Sequence, residues 1–441
     1  MTSTPAPVAP EALDALTRDE LAVLLREWLL HGHLQDRVAV PLLYERGVAR
    51  EEAEQVAIDE WMAASPIYSV RTQELLSFRE PTVATILKNI QIDIGAPPQY
   101  MDFRVRVDDD EHGEFWLDHC GALMDVEPMG DEWVHGMCHT IEDPTFDATA
   151  LATNPRARIR PIHRPPREPS DRHPHCHWTL IIDPDNEPVG SIELTDRVRA
   201  LPLASVPNEI RAEPEPDGAA SVRGPGIPAR SEGDHEHGMA DYRGPLDPSF
   251  HLADLSSAAL VGAAREFQMQ SHLLVAATDL ALRGHLGDDV ARDVIEQAWI
   301  GASWVLSERL VKALGTSSDA DGLAWVLTLT PAIPPGFDRR VEVDGDHVHV
   351  TLTTTHPGLL DESHPGWCGV LARGDLRGVE AMARGVDPGA RVERVDVSGD
   401  TASFDVLLGG EAGAEPDAVA LVRIGMVATW SFDVSDPVRV N

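Results

Sequence analysis

Lysine is nearly missing from this chain of 441 residues: it occurs only as Lys88 and Lys312. Almost every cation is therefore an arginine, and acidic residues outnumber basic ones to a formal charge of -37. A field of that sign repels a phosphate backbone and an anionic lipid surface, so neither nucleic acid nor a membrane is an expected partner. Long apolar runs are also missing, and none approaches the roughly 20 residues that a membrane helix needs. The opening MTSTPAPVAPEALDAL has no basic start and no apolar stretch, so no signal peptide is expected and the implied location is cytoplasmic. Cysteine is scarce too. Four thiols cannot staple a chain this long as a disulfide scaffold. What is present is a hydrophobic fraction of 43%, enough for real cores, over a length that implies two or three domains.

Residues 1–10 read as a loose tail. Beyond them Leu13, Leu16, Leu21, Leu24, Leu25, Leu29 and Leu30 recur at helical spacing. Thr17 followed by Glu20 is a capping box, which starts a long helix there. Further helices are expected over 37–46, 50–64 and 68–92, punctuated by Gly47 and by Ser65-Pro66. The period then changes. Phe103, Val105 and Val107 alternate with Arg104, Arg106 and Asp108, the pattern of a half-buried strand, and 114–119 reads as its partner. Helices over 131–141 and 145–153 follow, then strands over 156–162 and 177–182. From 200 to 247 periodicity is lost, and Pro, Gly and charge dominate, as in a flexible linker that carries His235 and His237.

After that stretch the first half recurs. LREWLLHGHLQ (25–35) meets AREFQMQSHLL (264–274), which places His33 opposite His272. IDEWMAAS meets IEQAWIGAS, with Trp61 opposite Trp299, and NPRARI meets DPGARV. The offset shrinks smoothly along the chain, as duplication followed by small deletions would leave it. The expected fold class is α+β: two tandem copies, each a helical N-terminal part followed by a small α/β part with an antiparallel or mixed sheet. The expected divisions are tail 1–10, first copy 11–198, flexible linker 199–248 and second, degenerate copy 249–441. An intramolecular pseudo-dimer or a homodimer follows naturally.

Chemistry concentrates in the first copy. Cys120, Cys138 and Cys176 each have histidine neighbours, namely His119, His139, and His175 with His177. Thiols and imidazoles together suit a borderline-soft ion, so Cys120, Cys138, Cys176, His119, His175 and His177 are the candidate ligands for zinc, with iron or an iron–sulfur cluster as alternatives. Their spacing matches no zinc finger. Glu142 stands four residues after Cys138, one helical turn along, and is a candidate general base or orienting partner. Cys138, Glu142 and His139 form the candidate catalytic group; whether a thiolate or a metal-bound water attacks stays open. Arg158, Arg160 and Arg164 are candidates to clamp a substrate carboxylate. The second copy has no matching thiols in this register, so the fold does not need the cluster.

These residues carry a resemblance. Cys120, then Cys138 with Glu142, Asp143 and Phe146, then Cys176 after the arginine-bearing strand RARIRPIHR, resemble the L-2-amino-thiazoline-4-carboxylic acid hydrolase-like family, which is related to 4-vinyl reductase domains. The resemblance covers roughly 12–183. It departs in the longer loop before Cys176 and in the crowding of histidines. It implies hydrolysis of a C–N bond in a small carboxylate-bearing molecule. The alternative is a non-enzymatic metal- or ligand-binding scaffold with a structural zinc.

Overall fold

The computed structural model describes residues 12–210 and 238–425. The expected tail, the centre of the expected linker with His235 and His237, and the end of the second half lie outside the described residues.

The chain is α+β, with one four-stranded antiparallel sheet in each half. In the first half α1 (Arg18–Glu45), α2 (Arg50–Leu75) and α3 (Val83–Gln91) lead into β1 (Met101–Val107) and β2 (His112–Cys120). The short helices α4 (Gly121–Val126), α5 (Asp131–His135) and α6 (Glu142–Leu151) follow. Then come β3 (Ala157–His163), β4 (Cys176–Ile182) and α7 (Glu193–Arg199). The second half repeats the order with α8 (Ser257–Leu286), α9 (Asp288–Leu314), α10 (Ala320–Leu329), β5 (Phe337–Asp344) and β6 (His347–Thr354). It closes with α11 (Trp367–Ala372), α12 (Arg377–Arg384), β7 (Arg391–Ser398), β8 (Thr401–Leu407) and α13 (Asp417–Gly425). The strand orders are β1-β2-β4-β3 and β5-β6-β8-β7.

The capping box forms as expected. The Glu20 amide donates to the Thr17 hydroxyl at 3.2 Å, and the Thr17 amide donates to the Glu20 carboxylate at 2.7 Å. The helix it starts is longer than expected, since α1 continues through Pro41 to Glu45. Likewise α2 runs through Pro66, where Ser65-Pro66 is expected to end a helix. A proline cannot donate to the carbonyl four residues back. Here that carbonyl, of Met62, accepts instead from the Thr195 hydroxyl of α7 at 3.2 Å, with Thr195 fully buried. A tertiary contact thus replaces the missing bond, and no local pattern announces it.

The halves interlock. Helix α2 packs chiefly on α8 and α1 on α8 and α9, while α1 and α2 touch each other little. One hydrophobic cluster accordingly runs through both halves. Among the ion pairs that cross between them, two stand in reciprocal positions. Arg71 of α2 holds the buried Glu266 of α8 at 2.8 and 3.0 Å, and Arg309 of α9 holds the buried Glu27 of α1 through both its Nε and an Nη. Paired planar forks of this kind fix register as well as charge.

Within the described residues, the ends of the expected linker are packed. Leu203 and Tyr242 are each 1% exposed. Lys88 donates to the carbonyls of Tyr242 and Gly244 at 2.7 and 2.6 Å, which pins the segment after residue 238 onto α3. Among the described residues no helix is long and apolar enough to cross a membrane.

Candidate functional site

The three first-half thiols arrive by different routes. Cys120 ends β2 and Cys176 begins β4, and these strands are antiparallel neighbours with Leu117 opposite Cys176. Both thiols therefore sit at one end of the sheet. Cys138 comes from the helical layer, where α5 widens into a single π turn, Gly136–Ile141, before α6 begins. Such turns are rare inside helices and gather at functional sites. Gly136 permits this one: a β-carbon there would lie 2.1 Å from Oε1 of Glu54 on α2. All three thiols are free and at most 4% exposed.

Cys138 lies within electrostatic reach of Glu142, Cys120 and Cys176. Burial first, and the Glu142 charge second, push the Cys120 thiol up to about 12. The same two causes, in the same order, raise Cys138 and Cys176. Glu142 is itself raised to about 8 by burial, with the Arg164 guanidinium pulling the other way. Its Oε2 has no hydrogen-bond partner among the described residues. At neutral pH the cluster is thus three neutral thiols around a carboxyl that is mostly protonated.

Glu142 also faces a cavity of about 400 Å³ enclosed by α1, α2, the first sheet and the α4–α6 layer. Its walls are mostly apolar, with Trp61, Trp133, Phe103, Phe146, Met101 and Met137 prominent, and Leu421 of α13 reaches in from the second half. Five carboxyl-bearing residues, Asp36, Glu54, Asp93, Asp125 and Glu142, open onto it beside Arg37 and His33. An apolar hollow with a few converging polar groups is what a small-molecule site requires. Burial pushes Asp93 up to about 6, despite hydrogen bonds from the Gly95 amide and the Tyr68 hydroxyl.

The histidines do not gather as the thiols do. The pleat sends Cys176 and His177 to opposite faces of β4, and His177 meets Glu114 at 2.8 Å. His139 leaves the buried side of the π turn and meets the Pro165 carbonyl at 2.7 Å. His175 is buried, and burial together with the nearby Arg167 lowers it to about 4. His119 lies 6.0 Å from it, centroid to centroid. Among the described residues no three His, Cys, Asp or Glu side chains are arranged as a ready-made ion cage.

The arginines also separate. Arg160 is held by Asp147 through two bonds of 2.9 Å, and Arg158 by the carbonyls of Ala157 and Glu187. Arg164 pairs with Asp143 at 2.6 Å and lies close enough to Glu142 to oppose its rise. Asp36, Glu60, Trp61 and Trp133 were not among the residues expected to form a site. The available signal is an acid on an apolar helical face, Asp36 in line with Leu29, Val40 and Leu43.

The chain matches no protein-family model, no curated protein and no solved structure.

Proposed function

We propose that the first half is an enzyme site for a small, largely apolar molecule, with Glu142 as the group that moves the proton. One observation carries this reading: Glu142 belongs both to the wall of the cavity and to the thiol cluster. The reaction class implied by the resemblance, C–N hydrolysis, suits a carboxyl that keeps its proton near neutrality. The oxygen of water bonds to carbon, the C–N bond breaks, the Glu142 proton goes to the departing nitrogen, and a water proton restores Glu142. Thiolate attack is not favoured, because the buried thiols hold their protons. A substrate-carboxylate role for Arg158 and Arg160 is not carried forward, since both are engaged elsewhere.

The test is amine release from a panel of small aryl amides and amidines. We expect Glu142→Gln to lose about 10²–10⁴-fold in rate with circular dichroism unchanged. Filling the cavity with Ala57→Phe should abolish turnover. Wild-type rates in either variant would overturn the reading.

A second reading rests on the thiols. Three neutral thiols converging on one carboxyl, with little cationic compensation, are chemically suited to exchange their protons for a soft ion such as zinc or iron. Cys120, Cys138 and Cys176 would hold it, and it would supply Lewis acidity next to the cavity. Elemental analysis decides: stoichiometric metal lost in both Cys138→Ser and Cys176→Ser supports this reading, and active metal-free protein dismisses it. We also read the two halves as tandem copies, supported by the shared strand order and the reciprocal Arg–Glu pairs.

A further inference from the structure

If the cavity is the site, its chemistry also narrows the ligand. Five carboxyl-bearing residues face the space against one guanidinium. Asp125 accepts from the Tyr100 hydroxyl at 2.6 Å and pairs with Arg37, which uses up the only arginine on the wall. Asp93 accepts from the Gly95 amide at 2.7 Å, and Glu54 faces Arg50 at 3.4 Å. Asp36 is less well provided, feeling the Arg37 charge without a direct ion pair to it among the described residues. It is 8% exposed, and its Oδ1 finds no hydrogen-bond partner among the described residues. Glu60, 1% exposed, lies against it on the neighbouring helix, within hydrogen-bonding reach of the Asp36 carboxyl and of Thr278. A proton shared within such a pair, with one hydroxyl beside it, still leaves Oδ1 of Asp36 without a donor, a cost that something positive or donating would relieve.

The other walls offer what a cation needs. Tyr44, Trp61, Trp133 and Phe146 present aromatic rings to the same space, and ring faces attract ammonium and amidinium groups more strongly as water is excluded. We propose that the cavity binds an organic cation: an ammonium or amidinium group on an apolar body. Its N–H groups donate to Asp36, with Glu60 behind, and its body lies between the aromatic walls. A carboxylate ligand would meet a wall that carries five carboxyl groups against one guanidinium. A neutral donor would satisfy Asp36 with a weaker hydrogen bond than a charged one. A bare metal ion would face walls that are mainly carbon.

The experiment is a matched series on one apolar body: phenethylamine, phenethyl alcohol and hydrocinnamate, each titrated by calorimetry and by Trp fluorescence. A charge-assisted hydrogen bond in a water-poor site favours the amine over the alcohol by about tenfold or more. Hydrocinnamate should bind weakest. Asp36→Asn, which keeps the shape, should erase the amine preference while leaving the alcohol affinity unchanged, and Glu60→Gln should reduce it. An amine that binds no better than the alcohol overturns the inference. So does a preference that survives both substitutions. If the alcohol still binds, and Ala57→Phe blocks it, the small-molecule reading of the cavity stands without the cation. If none of the three binds, both fail.

Discussion

The indoles of Trp299 and Trp367 stack in the second half with centroids 5.8 Å apart and planes 17° apart. Both are 1% exposed, and Trp299 fits so closely that a β-carbon on Gly378 would fall 2.3 Å from its ring. In the alignment of the two halves that we propose, Trp61 corresponds to Trp299, and Trp133, like Trp367, lies on a helix between the second and third strands of its half. There the two indoles stand as cavity walls and remain partly open. If the halves are tandem copies, as proposed, the second plugs with its two indoles the space that the first keeps open. Trp367→Ala should therefore cost about 3–5 kcal/mol, by the loss of a fully packed aromatic. Trp133→Ala, which only widens an existing hollow, should cost clearly less. Urea unfolding of the two variants checks this, and equal losses would contradict the plug.

The join between the halves makes a separate prediction. Glu266 is 1% exposed and depends on the fork of Arg71. Arg71→Met leaves a buried carboxylate without its cation, at a cost of about 3–5 kcal/mol. Arg71→Met combined with Glu266→Leu removes the stranded charge and should be the more stable of the two. Unfolding midpoints of both variants decide it. A double variant weaker than the single would mean that packing, not charge, governs this contact.

Much of this fold was legible in the sequence, because its signals are local. The Thr17 capping box, the alternation of Phe103, Val105 and Val107, and the punctuation at Gly47 all mark elements that formed within a few residues of expectation. The continuation of α2 through Pro66 was not legible, because the group that repairs the broken bond is Thr195, far along the chain. The site divides in the same way. Three thiols near one another followed from crowding in sequence. That the histidines beside them mostly turn elsewhere follows from the strand pleat at His177, which sends chain neighbours to opposite faces, and from the π turn at His139, which splays neighbours about a quarter-turn apart. Asp36 and Glu60 went unnoticed because a buried acid in a helix carries no spacing motif at all.

Gly121 follows Cys120 directly and lies against the Tyr100 ring, where a β-carbon would sit 2.3 Å from a ring carbon. That ring cannot swing away, since its hydroxyl is held by Asp125 at 2.6 Å and its carbonyl accepts from the Gly121 amide at 2.8 Å. Gly121→Ala should therefore cost about 1–3 kcal/mol of overpacking and shift the end of β2. Denaturation and near-ultraviolet circular dichroism report both effects. An unchanged midpoint would show that Tyr100 yields.

The raised Glu142 gives a pH signature that needs no substrate. Its carboxyl moves from 4.5 to about 8 on folding, chiefly by burial. Between those values the folded protein holds a proton that the unfolded chain has released, so stability falls as pH rises through the window. Below it both states are protonated and nothing is lost; above it both are ionised and the full loss remains. Glu142→Gln has no proton to lose. In chelator-treated protein, the wild type and Glu142→Gln should unfold at similar urea concentrations near the lower limit. The wild type should then fall progressively behind, and the gap should level off above about pH 8, where the folded-state group is ionised. Parallel curves would mean that Glu142 titrates as an ordinary carboxylate, and the proton assigned to it at the cavity wall would not be there at neutral pH.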